Sequence, residues 1–168
     1  MEEYKFIHPK LEEIKGILRK VGVRYVSYKE ICEKALLPRI LADNPEKENL
    51  TRDNVILIAT LLKKGKVYPP ESVWILSRDG KIRKSNEVFL LDKIFDELEQ
   101  FNEMILDFRE YLDKDGDIEG WKEFFKHTRT KLIEDYWREF IEYLIEAIEK
   151  EDSQENMIKL TYVAKELW

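Results

Sequence analysis

Apolar residues in the first part of the chain recur at helical spacing, between residues that start or stop helices. Ser27 and Glu30 form a capping box that opens one helix, and Pro38 is expected to break it, since proline cannot donate an intrahelical hydrogen bond. Thr51 predicts the start of the next helix. An earlier helix is predicted from Leu11, Ile14, Ile17, Leu18 and Val21, ending at Gly22. Residues 1–66 are therefore predicted to be an N-terminal helical part.

The pattern changes in residues 67–90. Residues 73–76 are short, apolar and β-prone, and the Asp79-Gly80 pair that follows favours a tight hairpin turn. Ile82 would then begin the return strand. This spacing predicts a small β-hairpin around residues 73–83.

Helical spacing returns in residues 91–168. A stripe ending at the turn 113–116 is followed by Asp117 as a helix cap, and a long helix is expected from Leu132 to Ile148. The final helix is predicted to turn inward Met157, Leu160, Val163, Ala164, Leu167 and Trp168, and another inward stripe holds Leu91, Ile94, Phe95 and Leu98. The predicted fold is α+β and predominantly α-helical, in a single domain spanning 1–168. Because the last stripe stops on apolar residues, we expect the chain to be a fragment of a larger protein.

Composition narrows the class of protein. The 168 residues are 43% hydrophobic and contain one cysteine, so we expect a real core and no internal disulfide. Membrane spans and a signal peptide are not expected, which favours a cytoplasmic protein without membrane contact. The net charge of −6 divides unevenly, with 18 Lys/Arg against 13 Asp/Glu in residues 1–90 and 11 against 22 in the rest. Lys and Glu make up 44 residues and Gln only two, a bias typical of thermophiles.

Residues that could carry chemistry are few. Counted from Asp113, the acidic turn has Ile118 and Phe124 where a calcium loop needs its glycine and final glutamate. Counted from Asp115, Gly120 fits but Lys126 replaces the glutamate, so a turn followed by a helix cap is the preferred interpretation. Cys32 has no neighbouring base and is expected to be a small buried residue. His127 near a helix end is expected to interact with the helix dipole, with switching or stacking on a partner as alternatives. No nucleotide-binding loop, hydrolase elbow or zincin motif occurs. We therefore predict no catalytic, cofactor or metal site, and no enzyme activity.

The basic residues of the hairpin suggest a contact surface. The candidates for contact with nucleic acid or a protein partner are Trp74, Arg78, Lys81, Arg83 and Lys84. A basic β-ribbon beside aromatic rings can bind phosphates. Two alternatives stay open: the lysines cap helix ends, or the hairpin docks on the acidic second half of the same chain.

Three segments, in order, resemble a known module. Residues 18–23 continue through 31–38 as a leucine, glycine-valine, helix, leucine-proline stretch. Residues 73–81 with 88–90 are similar to a hairpin containing aspartate, glycine and lysine. A tyrosine-leucine, tryptophan, double-phenylalanine helix follows at Tyr111-Leu112, Asp117-Ile118 and Trp121-Lys122-Glu123-Phe124-Phe125. Together they resemble the module beside histidine-kinase-type ATPase domains in sacsin-like proteins, including their archaeal and bacterial relatives.

The resemblance covers roughly residues 11–127. It departs after Phe125, where this chain has Lys126-His127-Thr128-Arg129 instead of a Leu-Gly-Val turn. It implies a non-catalytic interaction or regulatory module of a larger multidomain, ATPase-associated protein, with neighbouring domains or a partner subunit as its partners. The alternative function is a nucleic-acid-binding accessory domain of a defence or DNA-processing system, based on the basic hairpin.

Overall fold

Residues 28–41 form one continuous helical segment in the computed structural model, which describes residues 20, 26–91, 101–150 and 154–167. The segment consists of α1 (Tyr28–Ile31), a π-helical stretch (Cys32–Leu36) and α2 (Leu37–Leu41). The helix at 11–21 and the stripe at 94–98 lie outside the described residues. Ser27 caps α1 as predicted, because its side chain accepts a hydrogen bond from the Glu30 N–H at 3.1 Å.

Pro38 does not break this helix, so that prediction is wrong. It lies in the first turn of α2, and the chain stays helical to Leu41. The Leu37 N–H bonds to the Cys32 carbonyl, five residues earlier. This wide turn shifts the hydrogen-bond register, and a proline in the first turn of the segment that follows has no N–H to leave unpaired.

The third predicted helix is α3 (Arg52–Lys64), with both ends as expected. Thr51 Oγ1 accepts a hydrogen bond from the Asn54 N–H at 3.3 Å, and Gly65 is the C-cap. Its apolar face is buried through Val55, Ile56, Ile58, Ala59 and Leu62.

The predicted hairpin is confirmed. Strands β1 (Trp74–Leu76) and β2 (Ile82–Lys84) pair antiparallel, with Trp74 opposite Lys84 and Leu76 opposite Ile82. Gly80 in the turn has a φ of 79°, a conformation that glycine adopts without steric cost.

A second sheet was not predicted. After a 3-10 turn (Ser85–Glu87), β3 (Phe89–Leu90) pairs in parallel with β4 (Lys131–Leu132). Leu132 therefore belongs to a strand and not to the long helix, which corrects the prediction. The Lys131 N–H bonds to the Val88 carbonyl at 3.1 Å, a pairing between distant parts of the chain. Strands of two residues are too short to show the alternation of apolar and polar residues by which a strand is predicted from the sequence.

Helices fill the rest of the described second half. They are α4 (Phe108–Asp115), α5 (Ile118–His127), α6 (Ile133–Lys150) and α7 (Gln154–Leu167). Gly116, with a φ of 68°, ends α4, and the Asp117 side chain caps α5 by accepting the Gly120 N–H at 3.0 Å. The turn-plus-cap interpretation of this acidic segment is confirmed.

Two apolar clusters hold these elements together. The larger packs α3 and the hairpin against α4 and α5, with the fully buried rings of Tyr111, Trp121, Phe124 and Phe125 at its centre. The second joins β3 to α6 and α7 through Phe89, Phe101, Ile105, Phe140, Leu144, Leu160 and Val163. Met157, predicted to face inward, is 43% exposed, because the buried face of α7 centres on Leu160 and Val163. The α+β, predominantly helical fold class is confirmed.

Candidate functional site

Two of the predicted contact residues, Trp74 and Lys84, close the end of α2. Trp74 Nε1 donates to the Ala42 carbonyl at 2.6 Å, and Lys84 Nζ donates to the same carbonyl at 3.3 Å. Lys84 Nζ also lies 4.4 Å from the Trp74 ring centroid. Since the last carbonyls of a helix carry partial negative charge, a lysine here stabilises the helix end. This geometry favours the helix-capping alternative for Lys84.

Arg83 is held inside the hairpin. Its Nη2 donates to Asp79 Oδ2 at 2.7 Å, and its Nε donates to Ser77 Oγ at 3.2 Å. Burial acts to raise the pKa of Asp79, but hydrogen bonds from Ser77 and Arg83 outweigh it and the pKa is lowered. Arg83 also lies 3.6 Å from Glu103, an ion pair that links the basic hairpin to the acidic second half.

Lys81 and Arg78 complete the predicted set. The Lys81 side chain is 74% exposed, with its Nζ 3.9 Å from Asp79. Arg78 is half-buried, and its backbone N–H bonds to the Ile105 carbonyl at 2.8 Å. The hairpin therefore brings the five residues onto one ribbon, but the charges of Arg83 and Lys84 already face partners within the chain.

A second basic surface lies where α5 ends, and the sequence did not reveal it. The Tyr68 ring stacks on His127 with a centroid distance of 4.6 Å and an interplanar angle of 25°. Tyr68 also lies 6.4 Å from the buried Phe124 ring, which fixes it against α5. His127 is exposed, so the stack lies at the surface. His127 thus stacks on a ring of its own chain, while the predicted stacking on a partner stays a prediction.

Exposed basic residues flank this stack. Lys66 precedes Tyr68 by two positions, Lys126 precedes His127 by one, and Arg129 follows His127 by two. We call these five residues, Lys66, Tyr68, Lys126, His127 and Arg129, the stack surface. The sequence shows both groups of basic residues, but only the packing of Tyr68 on α5 brings them together.

The outward face of α7 carries a further unusual feature. Ile158 is 71% exposed and Tyr162 is 52% exposed. They are four residues apart and each lies two residues from Leu160, about 200° around the helix from it. The face opposite the buried side of α7 is therefore partly apolar.

Cys32, the one cysteine of the chain, lies in the core. Cys32 is fully buried, and burial raises the pKa of its thiol, which disfavours the nucleophilic thiolate. The prediction of a small buried cysteine is confirmed. Among the described residues, no group of three or more His, Cys, Asp or Glu side chains is placed to hold a metal ion.

Within those same residues, no helix combines the length and apolar composition that crossing a bilayer requires. Comparison with known proteins adds no identity: no family model, no curated protein and no solved structure matches the chain. The resemblance to the sacsin-like module stays a prediction.

Proposed function

We propose that the chain is a non-catalytic interaction or regulatory module of a larger ATPase-associated protein. The observation that carries this proposal is the second apolar face of α7, turned away from its own core. An exposed isoleucine at 71% and an exposed tyrosine at 52%, one helical turn apart, are typical of a helix that packs against a second surface.

The neighbouring helix indicates the chemistry of that partner. On α6, Glu142, Glu146 and Glu149 are all exposed, and Glu146 forms an ion pair with the exposed Lys150 at 3.7 Å. An apolar face beside an acidic helix complements a protein surface that is apolar at its centre and basic at its rim. The proposed occupant is therefore a basic amphipathic helix of a neighbouring domain or partner subunit.

A pair of model peptides tests this assignment. An amphipathic helix of leucine and lysine is titrated into the protein and compared with a leucine and glutamate peptide of the same pattern, both followed by fluorescence anisotropy. We expect binding of the lysine peptide alone, and loss of that binding in Ile158→Glu/Tyr162→Glu. Equal binding of both peptides, or binding that survives the double substitution, contradicts the proposal.

Leu57→Glu/Ile118→Glu is the matched control, because Leu57 on α3 and Ile118 on α5 are 55% and 48% exposed and lie outside the proposed surface. It introduces the same two negative charges at exposed apolar positions and should leave peptide binding unchanged. Sedimentation velocity tests whether a second copy of the chain covers this face instead. Self-association that the α7 substitutions abolish would assign the face to that second copy and overturn the proposed partner.

The absence of catalysis is tested separately. ATP is titrated into the protein by calorimetry and phosphate release is measured. We expect neither binding nor hydrolysis, and tight binding with turnover would contradict a non-catalytic role.

A further inference from the structure

The stack surface concentrates positive charge that is not used inside the protein. Lys66, Lys126 and Arg129 are exposed, and none takes part in an ion pair with any other described residue. This distinguishes them from Arg83, whose charge faces Asp79 and Glu103. Glu123, one turn before His127 on α5, is the carboxylate closest to the stack along that helix. The surface is therefore able to attract an anion.

The backbone holds two of these basic residues in the same unusual way. Lys66 follows the C-cap of α3 with a φ of 52°, and Arg129 follows the C-cap of α5 with a φ of 61°. In each case the next residue bonds back to the helix, from Val67 to Leu62 at 3.0 Å and from Thr130 to Phe125 at 3.1 Å. Glycine is the usual residue at this position, because a side chain there is strained. Strained backbone is common at binding sites, and here both strained residues carry a positive charge.

The aromatic pair adds the second element of a binding site. Tyr68 is half-buried and fixed by Phe124, while its stacked partner His127 is exposed. A ring supported from behind can stack on a further planar group, as nucleobases do on aromatic side chains. Stacking needs an unpaired base, so this arrangement favours a single strand over a duplex.

We infer that the stack surface binds single-stranded nucleic acid, with Lys66, Lys126 and Arg129 contacting phosphates and the Tyr68–His127 pair stacking on a base. This inference goes beyond the proposed function and uses residues outside α7. It also moves nucleic-acid contact from the hairpin, where Arg83 and Lys84 already have partners, to the ends of α3 and α5. The net charge of −6 opposes approach of a polyanion, so binding is expected to be weak and to depend on salt.

The test is fluorescence anisotropy with a labelled thymidine oligonucleotide of about 12 nucleotides and the corresponding duplex. The affinity for the single strand should exceed that for the duplex and should fall between roughly 50 and 200 mM salt. Lys66→Glu/Arg129→Glu should weaken binding about tenfold or more and reduce its salt dependence. Removing the stacked ring by His127→Ala should weaken it about fivefold or more. Glu123→Gln should strengthen it.

Lys47→Glu/Arg109→Glu is the control for overall charge, because both residues are exposed and lie in other parts of the chain. The control should bind as the original chain does, and circular dichroism should show all variants folded. Absence of binding at low salt overturns the inference, as does an equal loss in the control. Equal affinity for polyglutamate would also overturn it, because the surface would then respond to charge alone.

Discussion

The buried hydroxyl of Tyr111 on α4 accepts a hydrogen bond from the Leu76 N–H of β1 at 2.9 Å. The ring itself is fully buried between Trp121 and Phe125, at centroid distances of 5.2 and 5.0 Å. This contact joins the hairpin to the helical second half. Burial raises the pKa of Tyr111, so the hydroxyl stays neutral at physiological pH.

Tyr111→Phe should therefore destabilise the protein while leaving its packing intact. The Leu76 N–H would lose its acceptor in a dry environment, which costs about 1–3 kcal/mol. Chemical denaturation measures the change in the free energy of unfolding. Tyr162→Phe, at a 52% exposed position, is the control and should change stability by less than about 0.5 kcal/mol. Equal effects of the two substitutions would contradict the role of the Leu76 contact.

The sequence predicts those parts of this fold that are determined locally. The caps at Ser27, Thr51 and Asp117 each involve a backbone N–H three residues away, and the hairpin turn depends on Gly80. The parallel pairing of β3 with β4 escaped prediction because it joins Phe89 to Lys131 across the chain. Such pairing depends on the packing of the whole core.

The contact surface was predictable only in part, for the same reason. The basic residues of the hairpin are visible in the sequence, but the Ala42 carbonyl that receives Trp74 and Lys84 belongs to a distant helix end. The stack of Tyr68 on His127 likewise joins residues far apart in the chain. A sequence pattern shows where charges are, while tertiary contacts decide which of them remain free to bind.

A close contact at Gly65 gives a second stability prediction. A Cβ atom at this position would lie 3.0 Å from Cys32 Sγ and 3.1 Å from the Tyr28 ring. Gly65→Ala should therefore destabilise the protein by about 1–3 kcal/mol, the usual cost of overpacking. Combining it with Cys32→Ala should recover part of this loss, since the nearest atom is removed. Thermal melts of the single and double variants measure that coupling, and strictly additive effects would exclude this contact as the cause.

The ion pairs of Lys63 with Asp115 and Asp117 predict that the stability of the protein falls at acid pH. Lys63 Nζ lies 2.7 Å from Asp115 Oδ2 and 2.8 Å from Asp117 Oδ2, and 4.9 Å from the Trp121 ring centroid. Burial acts to raise the Asp115 pKa, but hydrogen bonds from Lys63, the Asp117 N–H and Trp121, with the charge of Lys63, together outweigh it. The hydrogen bond from Lys63 is also the largest cause of the lowered pKa of Asp117. Both carboxyls thus have pKa values below the ordinary 3.8.

Since the unfolded chain binds protons on these carboxyls at a higher pH than the folded chain does, their contribution is present above about pH 4. This stabilising contribution should be lost as the pH falls through the lowered pKa values of the two carboxyls. Lys63→Met should lower the free energy of unfolding at neutral pH and make it fall less steeply as the pH is lowered. Part of the acid-induced fall should remain, because the pKa of Asp79 is also lowered. Lys114→Met, at an exposed position, should leave the profile unchanged. Denaturant titrations at several pH values provide the comparison, and parallel profiles for Lys63→Met and the original chain would contradict the assignment.

The left-handed residues of the stack surface predict a conflict between stability and binding. A non-glycine residue in this conformation costs about 1–2 kcal/mol, and glycine loses about 0.5–1 kcal/mol through the greater freedom of the unfolded chain. Lys66→Gly and Arg129→Gly should thus each stabilise the protein by about 0.5–1 kcal/mol. Lys66→Ala should give no gain, and Lys64→Gly, inside α3, should cost about 1 kcal/mol. If the surface binds nucleic acid, the glycine variants will melt at higher temperature and bind the oligonucleotide more weakly. Stabilisation with unchanged affinity would mean that these side chains make no phosphate contact, whereas destabilisation by glycine would mean that the left-handed conformation carries no cost.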